Sequence, residues 1–235
     1  SECDVLIGSV FGDTSIASSY PSKVKIFFTG EARDRFKFND VMEYYTHFIG
    51  FDEPTNNNMF RVPYWLWCFH DFTDFNSTGL HAMIQNKAEN LSVRTNCALI
   101  ANTDFSQIRT LLFKLLTCSN VQIDCPSSLC KNTPIKIPST TPNYFDDKIN
   151  FLKNYKIEIC FENIIENGYI TEKIFGALYA GCIPVYWGSS FDKYIESKII
   201  NQDRIIRLDD NLTNLDYVIE TICKLINDNS FFIEF

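Results

Sequence analysis

Residues 160–190 read CFENIIENGYITEKIFGALYAGCIPVYWGSS. An apolar strand-like run over 156–161 sets Ile157, Ile159 and Phe161 toward one side and stops at Glu162 and Asn163. A polar loop follows, with Gly168 permitting a tight approach. The spacing then predicts a helix over 171–180 and a strand over 182–187. Thr171 is a candidate N-cap, which puts Glu172 and Lys173 in the first turn. Free backbone N–H groups there favour an anion. An ammonium alone opposes the helix dipole, at a cost of roughly 0.3–1 kcal/mol when exposed. An anion held by both would reverse that sign, and phosphate is the natural candidate. Glu172 suits sugar hydroxyls or ring N–H groups. A solvated charge pair beside a rim tyrosine is the competing reading, and chemistry alone does not separate the two. There is no Walker A motif and no G-x-G-x-x-G.

Outward from this stretch, the second half alternates strands and helices. Residues 96–102 and 119–124 read as strands. Between them Asp104 can cap a helix carrying Ile108, Leu111, Leu112, Leu115 and Leu116. A loop over 125–145 holds Pro126, Pro134, Pro138 and Pro142, and a loop of that length is usually functional or mobile. A short helix is predicted over 146–154, a strand over 204–208, and a last helix over 214–228 with Leu215, Val218, Ile219, Ile222 and Ile226 on one face. Repeated βα units imply a parallel sheet with ligands at the carboxyl ends of its strands. The first half offers apolar runs at 4–10, 23–29, 46–52 and 59–67, then a polar stretch over 70–95 with one weak helical patch at 80–88. Composition places a domain change near residue 92, giving domains 1–92 and 93–235.

The 235 residues, 46% hydrophobic, can bury a core. The net charge of -8, with no run of five like charges, argues against a nucleic-acid partner. No stretch approaches the roughly 18–20 apolar residues of a membrane span. The opening SECDVLIGSVFGD lacks the features of a signal peptide and begins almost directly on a strand, as a trimmed or processed chain would. Nine cysteines, an odd number without a CxxC pair, argue against a zinc site. Reduced, buried thiols are the plainer reading, with Cys118, Cys125 and Cys130 the one cluster where a disulfide could form. The cytoplasm is favoured for the chain as given; a Golgi lumen would need an anchor ahead of it. Sequons at Asn76, Asn90 and Asn211 are weak signals in an Asn-rich chain.

The opening stretch closely resembles the signature of the α-1,3/1,4-fucosyltransferases. The matching residues are Phe161-Glu162-Asn163, Tyr169-Ile170-Thr171-Glu172-Lys173, Ala180-Gly181, Pro184-Val185 and Gly188-Ser189. Upstream, IFFTGE (26–31), IGFDE (49–53), FRVPYW (60–65) and IANTDFSQIR (100–109) resemble further family segments in the right order. The resemblance implies an α/β fold of two Rossmann-like domains facing a cleft (GT-B type). It implies GDP-fucose as donor, inversion at the fucose anomeric carbon, a glycan acceptor, no cofactor and no required metal. Carried over residue by residue, Lys173 and Arg109 would hold the diphosphate, and Glu172 would contact the nucleotide. Tyr169 and Asn163 would line the donor pocket, Asn102 would lie near the phosphates, and Glu31 would be the general base. Asp52 or Glu53 is the reserve base. Tyr64, Trp65 and Trp67 could face a sugar, although core packing is the stronger reading. His47, His70 and His81 are scattered and receive no catalytic role.

Ile164 and Ala101 stand where the family usually has Ser. The family's additional βα segment before the first strand is not in this sequence, so the N-terminal domain is expected to be incomplete on its acceptor side. Two other readings stand beside transfer of fucose: a non-catalytic nucleotide-sugar or glycan-binding module, and a transferase using another nucleotide sugar.

Overall fold

Two parallel sheets, one from each half of the chain, make up the fold. The structure is a computed structural model that describes residues 4–20, 24–32, 38–69, 91–104, 106–137 and 144–235. The helical patch at 80–88, His70, His81, the sequons at Asn76 and Asn90, Pro138 and Pro142 lie outside these residues.

The first sheet runs β1 (Val5–Ser9), β2 (Val24–Phe28), β3 (His47–Gly50) and β4 (Met59–Arg61) in sequential order. Phe27, Phe48 and Met59 pack against Val41 and Tyr45 of helix α1 (Phe38–Tyr44) and its end. The apolar run 59–67 is not one element. Pro63 cannot donate to a ladder, so β4 stops at Arg61 and a one-turn helix α2 (Trp65–Cys68) follows. Trp65 of that turn is buried and stacks on Phe175 of the other half, with centroids 4.1 Å apart.

The second sheet contains β5 (Thr95–Ala98), β6 (Ile123–Asp124), β7 (Tyr155–Ile159), β8 (Ile183–Tyr186) and β9 (Ile206–Arg207), in the spatial order β6-β5-β7-β8-β9. The chain starts inside the sheet, steps outward to β6, and returns past β5 to β7. The direction of winding therefore reverses between β5 and β7, where an open α/β sheet keeps its ligand crevice. All five β7 residues are buried. Ile157, Ile159 and Phe161 share one core with helices α3 (Ile108–Cys118) and α7 (Leu215–Asn227). Val218, Ile222 and Leu225 recur at helical spacing and face that core. The opposite face is covered by α4 (Tyr144–Leu152) and α5 (Glu172–Ala180).

Two charges on β7 are buried with partners. Glu158 pairs with Lys148 of α4 at 3.1 Å. Lys156 donates to the carbonyls of Leu225 and Ile226, at the end of α7 where carbonyls lack helical partners. The described part of the 125–145 loop is held by Asn132, whose side chain accepts from the Cys125 amide and donates to the Ile123 carbonyl. Cys118, Cys125 and Cys130 are all free thiols, so no disulfide braces this loop. Burial pushes the Cys125 thiol up to about 12, which keeps it protonated. A one-turn helix α6 (Glu196–Ile199) precedes β9, and a short α8 (Asn229–Glu234) follows α7.

Candidate active site

The strand β7 delivers the site. Its ladder continues past Ile159, with the Cys160 amide donating to Val185 and the Glu162 amide to Trp187. The Glu162 side chain is thereby fixed at the carboxyl edge and fully buried. Oε1 accepts from the Thr171 amide (2.7 Å) and hydroxyl (3.0 Å), and Oε2 accepts from that hydroxyl (2.8 Å) and from Lys173 Nζ (3.0 Å). Gly188 makes this possible. A Cβ there would lie 2.7 Å from Glu162 Cγ and 2.5 Å from the Tyr186 hydroxyl.

Thr171 is the N-cap of α5, as the spacing predicts, and its hydroxyl also accepts from Lys173 Nζ at 3.0 Å. Burial would lower the Lys173 pKa, but Glu162 and Glu172 pull harder and hold it above the usual lysine value. Lys173 keeps 19% of its side chain exposed. Burial likewise favours the neutral form of Glu172, and Lys173 and Lys148 outweigh it, so the carboxyl lies below its usual range.

From the other side comes Arg109, near the start of α3. The N-cap position is Gln107, and Asp104 serves the first turn from ahead of it, Oδ1 accepting from the Arg109 amide and Oδ2 from the Thr110 amide. The Arg109 guanidinium donates to the Thr103 carbonyl (2.6 Å), the Phe161 carbonyl (2.5 Å) and Asn163 Oδ1 (3.0 Å). It is only 3% exposed. Arg109 and Lys173 thus bracket the same three residues, Phe161 to Asn163, at the winding reversal. Asn102, at the end of the β5 segment, accepts from the amide and hydroxyl of Ser128 and ties down the 125–130 loop. Trp187 Nε1, buried beyond β8, has no hydrogen-bond partner among the described residues.

The first half meets this site through Tyr169. Its ring is buried against Phe51 (centroids 5.1 Å) and Ala32, the residue after Glu31. Glu31 sits in the turn after β2, its amide donating to the Thr29 hydroxyl at 3.0 Å. Tyr64 packs over Gly30, the residue before Glu31. Its hydroxyl is driven above the normal tyrosine value by burial first, then by Cys68 and by the carboxylates of Glu172 and Glu31. Arg109 with Asn163, and Lys173 with Glu162, meet at the carboxyl end of β7, and Tyr169 joins them to the first half through Phe51.

Asp52 and Glu53, the reserve base candidates, stand where the first half meets the second. They line a cavity of about 590 Å3 with Asn167, Asp192 and Tyr194 of the second half. The aromatic trio divides: Trp65 is core, while Tyr64 and Trp67 are 38% and 52% exposed. His47 bonds its neighbour Thr46 through Nδ1. Sequence reasoning gave no role to Glu162, the hub of the network, although it stands inside the quoted Phe-Glu-Asn run. It also missed Lys148 with Glu158, and Arg61 with Glu196, because no local spacing announces a partner so far along the chain. Among the described residues, no group of His, Cys, Asp or Glu is placed to hold a metal, and no helix is long and apolar enough to cross a membrane.

The profile of glycosyltransferase family 10 (fucosyltransferase), C-terminal part, matches residues 90–235, more than half of the sequence. The chain belongs to family 10. An α-(1,3)-fucosyltransferase (FucT) of Helicobacter pylori is 27% identical to this family 10 chain over 204 residues, 79% of this chain and 42% of that protein. A GDP-fucose protein O-fucosyltransferase 3 of Bos taurus is 29% identical over 99 residues, 41% of this chain and 19% of that protein. The family 10 chain spans less than half the length of the curated relatives it matches. Among solved structures, an α1,3-fucosyltransferase crystallised with GDP-fucose superposes with a TM-score of 0.71 at 22% identity, covering all of this chain and 69% of that one. The arrangement is the GT-B one, with two Rossmann-like α/β units facing a cleft.

Proposed function

We propose that this chain transfers L-fucose from GDP-fucose, with inversion, to a hydroxyl of an N-acetylglucosamine-type glycan in α-1,3/1,4 linkage. The observation that carries the reading is the convergence of Arg109 and Lys173 on Phe161–Asn163 at the β5/β7 reversal. In the reaction, the acceptor oxygen bonds to the fucose anomeric carbon as the bond from that carbon to the β-phosphate oxygen breaks. GDP leaves with the electron pair and gains negative charge. Fixed positive groups aimed at that charge stabilise the transition state. Lys173, the more exposed cation, contacts the diphosphate, and the first amides of α5 add to it. Arg109 is nearly covered, so it acts through its charge and through Asn163, which it orients for the donor. Glu172, held ionised, accepts from nucleotide hydroxyls. Glu31, on the first half, takes the proton of the attacking hydroxyl from the face opposite GDP. Tyr169 shapes the donor pocket from the side of Ala32 and Phe51.

Calorimetric titration with GDP-fucose and GDP-mannose, followed by transfer assays, tests the reading. Wild type is expected to prefer GDP-fucose and to transfer, while Glu31→Gln keeps donor binding and loses transfer. Donor binding without transfer in both forms would make the chain a binding module instead. Release of sugar from a different nucleotide would make it a transferase of another donor. The likeness to GDP-fucose protein O-fucosyltransferase 3 favours adding a Ser/Thr peptide beside the glycan acceptors.

A further inference from the structure

One guanidinium crosses between the halves. Arg61 closes β4 of the first sheet, and its Nε donates to the Phe51 carbonyl at 3.0 Å. Its Nη2 reaches the second half twice, to the Gly168 carbonyl (3.3 Å) and to Glu196 Oε1 (3.0 Å). Its plane lies over the Tyr194 ring, 4.3 Å from the centroid. Glu196 is fully buried on α6, and the same Oε1 accepts from Trp65 Nε1 at 2.8 Å. A single carboxylate oxygen in the donor half therefore collects two donors from the other half.

The Gly168 contact gives this bridge its meaning. Gly168 has a positive φ of 79°, and a Cβ on it would lie 2.6 Å from the Phe51 carbonyl oxygen. Its amide donates to the buried Ser189 hydroxyl at 2.9 Å. The loop carrying Asn163 and Tyr169 is thus pinned at Gly168 from both sheets. Removing the Arg61 pin frees the loop on the side that meets Phe51 and the first half.

We propose that Arg61 is a positioning residue for the transfer, one that fixes the Gly168–Tyr169 segment against the first half and so sets the spacing between Glu31 and the donor. This rests on the fucosyl-transfer reading above. An ion pair alone could be made by lysine, but a point ammonium cannot also span the Phe51 and Gly168 carbonyls and stack on Tyr194. Misplacement of a reacting group by about 1 Å costs on the order of 100-fold in rate.

The test compares wild type with Arg61→Met, Arg61→Lys and, as a control for lost stability, Ile222→Val in α7. Three readouts are taken: kcat for fucosyl transfer, GDP affinity by calorimetry, and amide hydrogen exchange over residues 164–170. Arg61→Met is expected to exchange faster at 164–170 and to lose kcat by roughly 10- to 100-fold, while GDP affinity holds within about threefold. Arg61→Lys recovers little of the kcat loss, and Ile222→Val leaves kcat and loop exchange alone. Unchanged exchange and kcat in Arg61→Met, full recovery by lysine, or GDP affinity falling in step with kcat would each overturn the proposal. If wild type itself transfers no fucose, the transfer reading fails, and exchange at 164–170 with GDP affinity still rules on the clamp.

Discussion

Replacing Lys173 by Met removes the more exposed of the two cations described at this site, 19% exposed against 3% for Arg109. Its Nζ now bonds Glu162 Oε2 and the Thr171 hydroxyl, both at 3.0 Å. A charge-assisted hydrogen bond to phosphate contributes about 1.5–3 kcal/mol, so GDP affinity should fall roughly 10- to 150-fold at 1.4 kcal/mol per decade. The substitution also leaves Glu162 buried with only Thr171 to hold it. Breaking a buried pair costs about 3–5 kcal/mol, and partial exposure of Lys173 points to the lower end. Two controls separate affinity from stability. Guanosine carries no phosphate, so its binding should be unchanged. The double variant Glu162→Gln/Lys173→Met lacks the stranded charge, so it should regain stability while GDP affinity stays low. Calorimetry at about 50 and 300 mM salt should show the GDP difference narrowing as screening rises. Unchanged GDP affinity in Lys173→Met, or a parallel loss for guanosine, would refute the reasoning.

Three further outcomes are expected. Gly188→Ala drives a methyl into Glu162 Cγ and the Tyr186 hydroxyl, and urea denaturation should show a loss of about 1–3 kcal/mol with weakened GDP binding. Glu172 has a depressed folded pKa, so its ionised form adds stability above the unfolded value of about 4.3. That contribution is lost as pH falls through the lower folded value, and the urea-midpoint gap between wild type and Glu172→Gln should shrink only below about pH 4.3. Arg109→Lys cannot serve the carbonyls of Thr103 and Phe161 and the Asn163 amide oxygen together, and leaving two acceptors bare should cost about 2–6 kcal/mol in chemical denaturation.

Much of the second half was legible because its signals are local. Thr171 does cap α5, Asp104 does bond the first amides of α3 although Gln107 is its N-cap, and the βα alternation does give a parallel sheet. Asn102 and Arg109 were placed near the site by resemblance, yet their hydrogen bonds to Ser128, Thr103 and Phe161 were not foreseeable from spacing. The reason is that those partners lie on loops whose approach is fixed only once the sheet is assembled. The strand order is another such fact: nothing local in residues 119–124 says that β6 pairs outside β5 and leaves the reversal beside β7. Buried charges were the least legible. Glu158 and Lys156 look like the polar positions of a half-exposed strand, and only the helices on both faces turn them into buried, partnered groups. Pro63 gave a sufficient local reason to split the 59–67 run.

A crystal structure of this chain with GDP tests the central claim most directly. The account predicts a diphosphate at the β5/β7 reversal, within hydrogen-bond distance of Lys173 Nζ and the first amides of α5, with Asn163 still held by Arg109. GDP bound away from that crevice, or a diphosphate there that Lys173 does not touch, would contradict it.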